Sequence, residues 1–407
     1  MAPNDAPYRT DDPPSGRQDD RIAGTVDDPA SRDGDAVDDQ ADAVWTGPVP
    51  RTTFLRWRPR VVAGALGTVA VAAVADASGA GPGWRVLDWL YVASLVVLLG
   101  YVVAPLVVDR AAAARYREAL AGNRLAMASL GYVVALLVVG TVGPWLVGPS
   151  TTNLGHSFQP PMFSSVPESL PANCVGQVAD LQCQGTAQYP LGTNGQGEDM
   201  LRVLVRGTRV AVQVALVAST LLVPVGIAVG LVAGYRGGLT DQVLMRYVDV
   251  QSAVPAFLVY LVLLFVVGRS LFLLVVVFGL LSWGEVARLV RGEVRQRRDA
   301  AYVQAATVAG AGPLYVVRRV LLPNVSGPVL TVVSRQASML VLIEAALAFM
   351  ELSETGAGSW GETIARGMNQ WFPVNWWIST LPVIALACTV VAFNVLGDAL
   401  RDAVDPG

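Results

Sequence analysis

Long apolar segments separated by short polar ones dominate the chain from residue 61 onward. Crossing about 30 Å of hydrocarbon takes roughly 20 helical residues, and these segments reach that length. Helix is expected because a backbone in lipid must satisfy its own hydrogen bonds. The pattern predicts eight spans, or seven if the weak, Ala/Gly-rich first segment does not cross. The predicted spans are residues 61–78, 86–108, 125–147, 208–234, 244–267, 270–290, 327–351 and 378–399.

Residues 1–50 differ from the rest, being rich in Asp, Pro, Gly and Ser with almost no large apolar side chains. Such a segment cannot bury enough apolar area to offset its ordering entropy, so an acidic disordered tail is predicted. It has no basic start followed by an apolar stretch and a cleavage site, so it does not fit a signal peptide.

The placement of arginine predicts how the spans are oriented. Arginines cluster before the first span, after the second, and around residues 288–319, whereas residues 148–200 contain none. Because positive residues favour the cytoplasmic side, both termini and the 291–325 loop should be cytoplasmic and the 148–200 loop external. Three arginines at the start of the fourth span oppose this orientation, and an amphipathic interfacial helix is expected to carry them: Arg202, Arg206 and Arg209.

Composition agrees with a helical membrane bundle and excludes several classes of function. Hydrophobic residues make up 53% and charged residues 15% of the chain, against about a quarter charged in soluble proteins. The net charge of −3 gives no indication of nucleic-acid binding. The sequence contains no lysine, which excludes a phosphate-binding loop of the G-x-x-x-x-G-K-[ST] type. Any ATP must therefore be hydrolysed by another chain.

Few residues suggest catalysis or metal binding. His156 is the one histidine, and nothing in the sequence arranges ligands around it, so no catalytic residue, metal or cofactor is predicted. Cys388 lies in an apolar segment and is expected to pack as a small hydrophobe. Cys174 and Cys183 share a polar loop and could form a disulfide if that loop faces an oxidising exterior, a pairing that sequence leaves open.

The polar segment between the sixth and seventh predicted spans has an organised pattern. Small residues occur at helical spacing, Ala305 and Ala306 among them, and are followed by Gly310 and Gly312. A basic, aliphatic run then leads to Pro323. The pattern predicts a short helix, a sharp turn and a second short helix, presenting a compact surface outside the membrane.

This spacing resembles the cytoplasmic coupling loop of ABC importer permeases, which reads Glu-Ala-Ala, then Gly, then Leu-Pro-Asn. Gln304 stands where that family usually has Glu. The resemblance implies that the loop docks on an ATPase subunit and that the Leu-Pro step fixes the chain's exit angle into the next span. The residues so implied are Tyr302, Gln304, Ala305, Ala306, Gly310, Leu314, Leu322, Pro323 and Asn324.

A second resemblance lies in residues 189–209 and narrows the family to the dipeptide/oligopeptide permeases. Their pattern is His-Pro-Leu-Gly-Thr-Asp, then Gly-Arg-Asp and a basic amphipathic helix. Here Tyr189, Asn194 and Glu198 replace the His, Asp and Arg, so the polar contacts must differ. The external-motif residues are Leu191, Gly192, Thr193, Asn194, Gly197 and Asp199. A further departure is Glu351-Leu352-Ser353, where the family has Gly-Leu-Gly.

Together the resemblances cover about residues 124–407 and imply an all-α polytopic membrane protein. They imply a six-helix ABC type I importer permease core, MetI-like, with two extra N-terminal spans. The predicted divisions are the tail 1–50, the N-terminal hairpin 51–123, a first core helix with external loop 124–200, and a permease domain 201–407 with its coupling loop 291–325.

The implied function is ATP-driven import of di- or oligopeptides by a non-enzymatic transport subunit of the cell membrane. Such permeases pair in the lipid bilayer with a second homologous permease subunit, two ABC ATPase subunits and an extracytoplasmic substrate-binding protein. The alternatives are import of nickel, a sugar or another small solute, and beyond those a secondary transporter or a membrane-embedded enzyme. Nucleic acid is not an expected partner.

Two ionisable residues fall within or beside predicted spans. Glu344 is expected to make a structural polar contact, with substrate binding as the alternative. Asp249 is expected to pair with Arg246, three residues earlier on the same helix.

Overall fold

The computed structural model describes residues 52–79, 81–354, 356, 358–370 and 372–404. The predicted acidic tail lies outside these residues. Helices make up most of what is described, in agreement with the predicted all-α class. In chain order they are α1 (Thr52–Ala77), α2 (Val86–Leu98), α3 (Ala104–Val108), α4 (Arg110–Ala121), α5 (Arg124–Val147), α6 (Met200–Arg236), α7 (Gly238–Ala253), α8 (Ala256–Val267), α9 (Leu271–Leu281), α10 (Gly284–Arg297), α11 (Ala301–Val308), α12 (Pro313–Tyr315), α13 (Leu322–Phe349), α14 (Trp360–Met368) and α15 (Trp377–Val404).

Shorter elements complete the described chain. The π-helical segments Leu99–Val103 and Val316–Leu321 join α2 to α3 and α12 to α13, and Leu154–His156 is a 3₁₀ turn. A small antiparallel sheet of order β1-β3-β2 lies in the long loop between α5 and α6. Its strands are β1 (Ser165–Pro167), β2 (Val178–Ala179) and β3 (Gln182–Gln184).

The helices agree with the predicted spans in number and position. Within the described residues, seven are long and apolar enough to cross a membrane, or eight if the bent pair α7 and α8 counts as one span. That pair bends by 60° within the one span predicted over 244–267. Val254 takes an extended conformation there (φ −83°, ψ 114°), as expected of a residue before proline, and Pro255 precedes α8.

Helix α6 is longer than predicted and lies at the centre of the bundle. The separate interfacial helix expected for Arg202, Arg206 and Arg209 is wrong, because all three lie on the first turns of this 37-residue helix. Asp199 caps its N-terminus, accepting a hydrogen bond from the Leu201 amide at 2.9 Å. Buried apolar positions then recur without interruption, so nothing ends the helix before the membrane core. It packs against α5, α9, α10 and α13.

A stripe of glycines lets α6 approach α10 closely. The stripe repeats every four residues and faces valines with the same spacing on α10. A Cβ at the central glycine, Gly230, would lie 2.6 Å from the Ala287 carbonyl oxygen. Small residues at this spacing are a standard way for membrane helices to pack backbone against backbone. The pairs are Gly226 with Val286, Gly230 with Val290, and Gly234 with Val294.

The bundle has two ends, which are named here by what they carry. The loop end carries residues 148–199, and the arginine end carries residues 291–325. Helix α6 runs from the loop end to the arginine end, and α13 runs the other way before α14 and α15 pack against it. At the loop end, the Trp360 indole donates to the Leu204 carbonyl at 3.2 Å, which joins α14 to α6.

Candidate functional site

The 301–322 segment forms a helix and turn at the arginine end. Helix α11 is followed by a turn in which Gly310 adopts φ +86°, a conformation that favours glycine. The Ala311 amide closes the turn by donating to the Ala306 carbonyl at 3.0 Å. The first helix and the sharp turn therefore lie where the spacing predicts them.

The second half of this segment differs from the prediction. No separate short helix ends at Leu322-Pro323, because α12, the π segment and α13 follow one another as a continuous helix. Pro323 and Asn324 lie in the first turn of α13, so they do not form an exit corner. Proline lacks an N–H to donate, and the wider π-helical turn just before it lets the helix pass this gap in the hydrogen-bond ladder.

One face of the segment is anchored and the other is exposed. Val303, Val316 and Leu321 are buried and belong to the main hydrophobic core. On the opposite side, Val308 and Leu314 have exposed fractions of 89% and 77%. The exposed face is formed by Gln304, Ala305, Val308, Gly310, Leu314 and Tyr315, while Tyr302, Ala306 and Leu322 are half-buried. This set, from Gln304 to Tyr315, is called the α11–α12 surface. A cluster of exposed apolar residues outside the spans is typical of an interaction site.

Arginine contacts brace the neighbouring helices at the arginine end. Arg291 of α10 forms a two-pronged contact with Asp241 of α7, its Nη2 donating to Oδ2 at 2.6 Å. Arg295 lies 3.5 Å from the same carboxylate, whose side chain is 8% exposed. Arg298 donates to the Gly234 carbonyl of α6 at 3.4 Å. The arginines that predicted orientation thus also tie α6, α7 and α10 together.

The predicted pair of Asp249 with Arg246 is wrong. Asp249 instead lies 3.7 Å from Nε of Arg288, on the neighbouring helix α10. Sequence spacing on one helix could not reveal that α10 packs beside α7 and brings a closer cation. Both side chains of the observed pair are about half exposed, so its contribution to stability is small.

The external-motif residues form a buried turn that joins the long loop to the bundle. Thr193 is fully buried; its hydroxyl donates to the His156 carbonyl at 2.6 Å and accepts from the Gln159 amide at 2.8 Å. Its own carbonyl accepts from the Trp377 indole of α15 at 3.0 Å. Gly197 has φ +71°, and a Cβ there would lie 1.8 Å from the Asn153 carbonyl oxygen. The motif is therefore structural, holding the loop against α6 and α15.

Two of the residues that depart from the family pattern contact each other. Asn194 Nδ2 donates to Glu198 Oε2 at 2.8 Å. The Asn194 side-chain oxygen also accepts from the Gln196 and Glu198 amides, each at 2.9 Å. An amide side chain can donate and accept at once, so the pair keeps the turn closed without an ion pair. Leu191, partly buried, packs in the cluster around Trp377.

A disulfide joins Cys174 to Cys183, whose Cα atoms lie 5.6 Å apart. Cys183 is fully buried on β3 and packs with Val166, Met200 and Trp377. The bond therefore ties the loop before β2 to β3, and the packing of Cys183 against Met200 places the sheet beside the start of α6. Cys388 of α15 is a free cysteine and is exposed, so it does not pack in the interior of this chain as a small hydrophobe was expected to do.

The contacts made by the N-terminal hairpin were not expected from the sequence. Helix α2 packs on α6, where Asp88 pairs with Arg209 at 2.9 Å. Arg85 pairs with Glu354, in the segment that follows α13, and Glu354 also accepts from the Leu271 amide at 3.2 Å. Such pairs join distant segments, so spacing cannot predict them. The one usable signal was that Arg209 opposed the orientation predicted from the other arginines.

Glu344 and Arg335, nine residues apart on α13, have different surroundings. Glu344 is 3% exposed, close to the buried Ser359 that caps α14. Arg335 is largely exposed and pairs with Glu285 of α10. The buried carboxyl therefore contacts the protein interior at the α13–α14 junction.

Comparison with known proteins defines the class of this helical bundle. The family model described as binding-protein-dependent transport system inner membrane component matches residues 226–407. A second model, the N-terminal TM domain of oligopeptide transport permease C, matches residues 114–161. The chain is thus a multi-pass membrane permease subunit of an ABC importer, in agreement with the predicted fold class. This class replaces the secondary-transporter and membrane-enzyme alternatives.

The relatives identify the family within that class. The chain is 30% identical over 285 residues to the dipeptide transport system permease protein DppC of Bacillus subtilis, covering 70% of this chain and 82% of the relative. It is 28% identical over 285 residues to the oligopeptide permease OppC of Haemophilus influenzae, covering 70% and 85%. It therefore belongs to the dipeptide/oligopeptide permease family, as its motifs indicated. Among solved structures, it resembles the MetNI methionine ABC transporter at 20% identity, with a TM-score of 0.41, covering 51% of this chain and 98% of that one.

Proposed function

We propose that this chain is one of two membrane subunits of an ATP-driven importer of di- or oligopeptides, and that its α11–α12 surface docks on an ATPase subunit. The observation that carries the docking is an exposed apolar face on an element whose other face is buried in the core. The peptide substrate is supported by the relatives' names, which are dipeptide and oligopeptide permeases.

The proposed partners follow from the class of protein. They are a second homologous permease, two ABC ATPase subunits and an extracytoplasmic substrate-binding protein. The arginine end would face the cytoplasm and the loop end the exterior, in a cell membrane with both termini inside. An internal disulfide in the loop supports this orientation, because disulfides persist in oxidising surroundings.

The continuous helix from α12 to α13 suggests how motion is transmitted. An ATPase that moves Leu314 would also displace α13, since no break separates them. Helix α13 packs on α6, α14 and α15, so the displacement reaches the loop end. ATP can shift this equilibrium only as far as the docked ATPase binds the two positions differently.

The experiment replaces Leu314 by Asp in the assembled transporter. Leu314 is 77% exposed, so the change should leave the fold intact while placing a charge in the proposed interface. ATPase co-purification and ATP-driven dipeptide uptake should fall by at least about tenfold, the effect of roughly 1.4 kcal/mol at a docking site. The Leu181→Asp variant is the matched control for ATPase retention, since Leu181 is an 80% exposed leucine at the opposite, loop end. Wild-type ATPase retention and uptake in Leu314→Asp would refute the docking.

Gly310→Trp is a second test of the same surface. A Cβ at Gly310 would meet nothing within 4 Å, but its φ of +86° adds backbone strain to any substitution. Loss of uptake with normal membrane insertion is expected. Backbone strain alone could cause the loss of uptake in Gly310→Trp, so Leu314→Asp is the clearer test of docking.

Substrate class needs its own measurement. Uptake of a labelled dipeptide, of nickel and of a labelled sugar should be compared in the same reconstituted transporter. We expect uptake of the labelled dipeptide to be inhibited by unlabelled dipeptide and not by nickel or sugar. Saturable uptake of nickel or sugar that dipeptide does not inhibit would move the proposal to that substrate.

A further inference from the structure

A cavity lined by charged, amide and apolar residues opens at the loop end, between the 194–198 turn, the start of α6, and α14. Its volume is about 170 Å³. A cavity of about 150 Å³ can hold one benzene molecule, so this one suits a chain end or one small side chain and not a whole oligopeptide. Its charged and amide lining includes Asn194, Gln196, Glu198, Arg206, Glu362 and Arg366.

The two arginines of this cavity differ in their partners. Arg366 is satisfied by Glu362, its Nη2 donating to Oε1 at 2.5 Å. Arg206 donates to the Ser150 hydroxyl, which in turn donates to Glu198 Oε1 at 2.5 Å. Of the ion pairs that the described part of the chain forms, none includes Arg206.

Arg206 is also held in position. Its side chain is half-buried, and a Cβ added at Gly358 would lie 3.5 Å from Arg206 Cβ and 3.7 Å from its Cδ. Gly358 therefore lies beside the Arg206 stem, and Arg206 borders the cavity. A guanidinium presents five N–H donors in a rigid fork that matches a carboxylate with two parallel hydrogen bonds.

We propose that this cavity binds a carboxylate group, with Arg206 as the anchoring cation. Glu198 already accepts from Asn194 and Ser150, and Arg366 is paired with Glu362. Within the described residues, Arg206 is therefore the guanidinium of this cavity that has no carboxylate partner, although one of its nitrogens donates to Ser150. The carboxylate would come from a peptide chain end or from an acidic side chain of a protein docking at the loop end. The site itself stands on this geometry, and only the source of its ligand rests on the proposed function.

The first experiment measures the charge preference of the cavity in purified chain in lipid nanodiscs, where both faces are accessible. A Gln196→Cys variant, in a Cys388→Ala background, places a thiol on the exposed rim. The thiol is labelled with a sulfonate-bearing and with a trimethylammonium-bearing methanethiosulfonate, and the ratio of the first rate to the second is measured. This ratio should be about fivefold higher with Arg206 present than in an added Arg206→Gln variant. An unchanged ratio in Arg206→Gln would overturn the proposal. Arg202→Gln is the matched control and should leave the ratio unchanged.

The second measurement uses ligand protection. N-acetylglycine should slow labelling of the thiol introduced by Gln196→Cys, and the uncharged N-acetylglycinamide should not. Arg206→Lys is a second variant in case Arg206→Gln misfolds. It keeps the positive charge and therefore most of the preference for the sulfonate reagent. Because it loses the guanidinium fork, protection by N-acetylglycine should weaken severalfold. Equal protection by acid and amide would contradict carboxylate binding.

The source of the ligand is separated in the assembled transporter. Protection by glycylglycine without any binding protein would identify a peptide chain end. Protection only when purified binding protein is added would identify docking. If N-acetylglycine, glycylglycine and the binding protein all fail to protect while Leu314→Asp still abolishes uptake, the cavity proposal fails and the proposed function stands.

Discussion

Asp88 of α2 accepts a hydrogen bond from Arg209 of α6, with Oδ1 2.9 Å from Nη2. One turn further along α6, Gln213 donates to the same oxygen at 3.2 Å. The Arg209 guanidinium also lies 5.3 Å from the centre of the Tyr91 ring, within cation–π range. The N-terminal hairpin therefore supplies the counter-ion of a permease-domain arginine and is more than a peripheral addition.

Replacing Asp88 by Asn should destabilise the protein, because Arg209 then loses its counter-ion in half-buried surroundings. Both side chains are about a quarter exposed (28% for Asp88 and 26% for Arg209). The loss of stability should therefore lie between that of breaking a surface ion pair and that of breaking a buried one, about 1–2 kcal/mol. Thermal unfolding of the solubilised full chain measures it, and Arg209→Gln completes a double-mutant cycle. Arg85→Gln is the control, since Arg85 is 76% exposed and should contribute under about 0.5 kcal/mol. Additive single effects in the cycle would show that the pair does not couple.

Adding a methyl group at Gly230 should disrupt the α6–α10 contact. The new Cβ would lie 2.6 Å from the Ala287 carbonyl, a backbone atom that cannot move aside cheaply. Gly230→Ala is expected to cost about 1–3 kcal/mol of stability in the same unfolding assay. Gly292→Ala is the control, because a Cβ there meets nothing within 4 Å, and it should be neutral or stabilise by up to about 1 kcal/mol. Equal stability of both variants would mean that the helices are not packed this closely.

Sequence predicted the spans better than their shapes and contacts. Hydropathy located each span because lipid demands long apolar helices, but the bend before Pro255 was missed although proline was its visible signal. The glycine repeat from Gly226 to Gly234 was also readable as a helix-packing motif. The residues that the glycines contact could not be read from the sequence, because Val286 and Val290 face them only in the folded bundle.

Polar contacts also divide into those that sequence can predict and those that it cannot. The buried turn at Thr193 follows from local turn chemistry, so its residues could be selected from sequence. Arg209 with Asp88 lies beyond such reasoning, since 121 positions separate them. The cavity at Arg206 is even harder to predict from sequence, because it forms only when the long loop, α6 and α14 come together.

Glu351 adopts a left-handed conformation, with φ +59°, at a position where the resembling pattern has glycine. A side chain with a Cβ costs about 1–2 kcal/mol in this region, whereas glycine enters it freely. Glu351→Gly should therefore raise the free energy of unfolding by up to about 1 kcal/mol, after allowing for glycine's greater entropy when unfolded. Gly310→Ala, at φ +86°, is the converse control and should lower it. A less stable Glu351→Gly variant would show that contacts of the Glu side chain outweigh the strain.

Replacing Glu344 by Gln tests whether the buried carboxyl of α13 is structural. Glutamine keeps the shape and hydrogen-bonding capacity near Ser359 and removes the cost of burying a charge. Stability equal to or above wild type is expected, with dipeptide uptake by the assembled transporter within about twofold of wild type, since shape and hydrogen bonding are kept. Glu285→Gln is the control for charge removal alone, since Glu285 pairs with Arg335 at a site where both side chains are about half exposed or more. If Glu344→Gln folds normally but abolishes uptake, the charge itself takes part in transport, and the substrate-binding interpretation of this residue replaces the structural one.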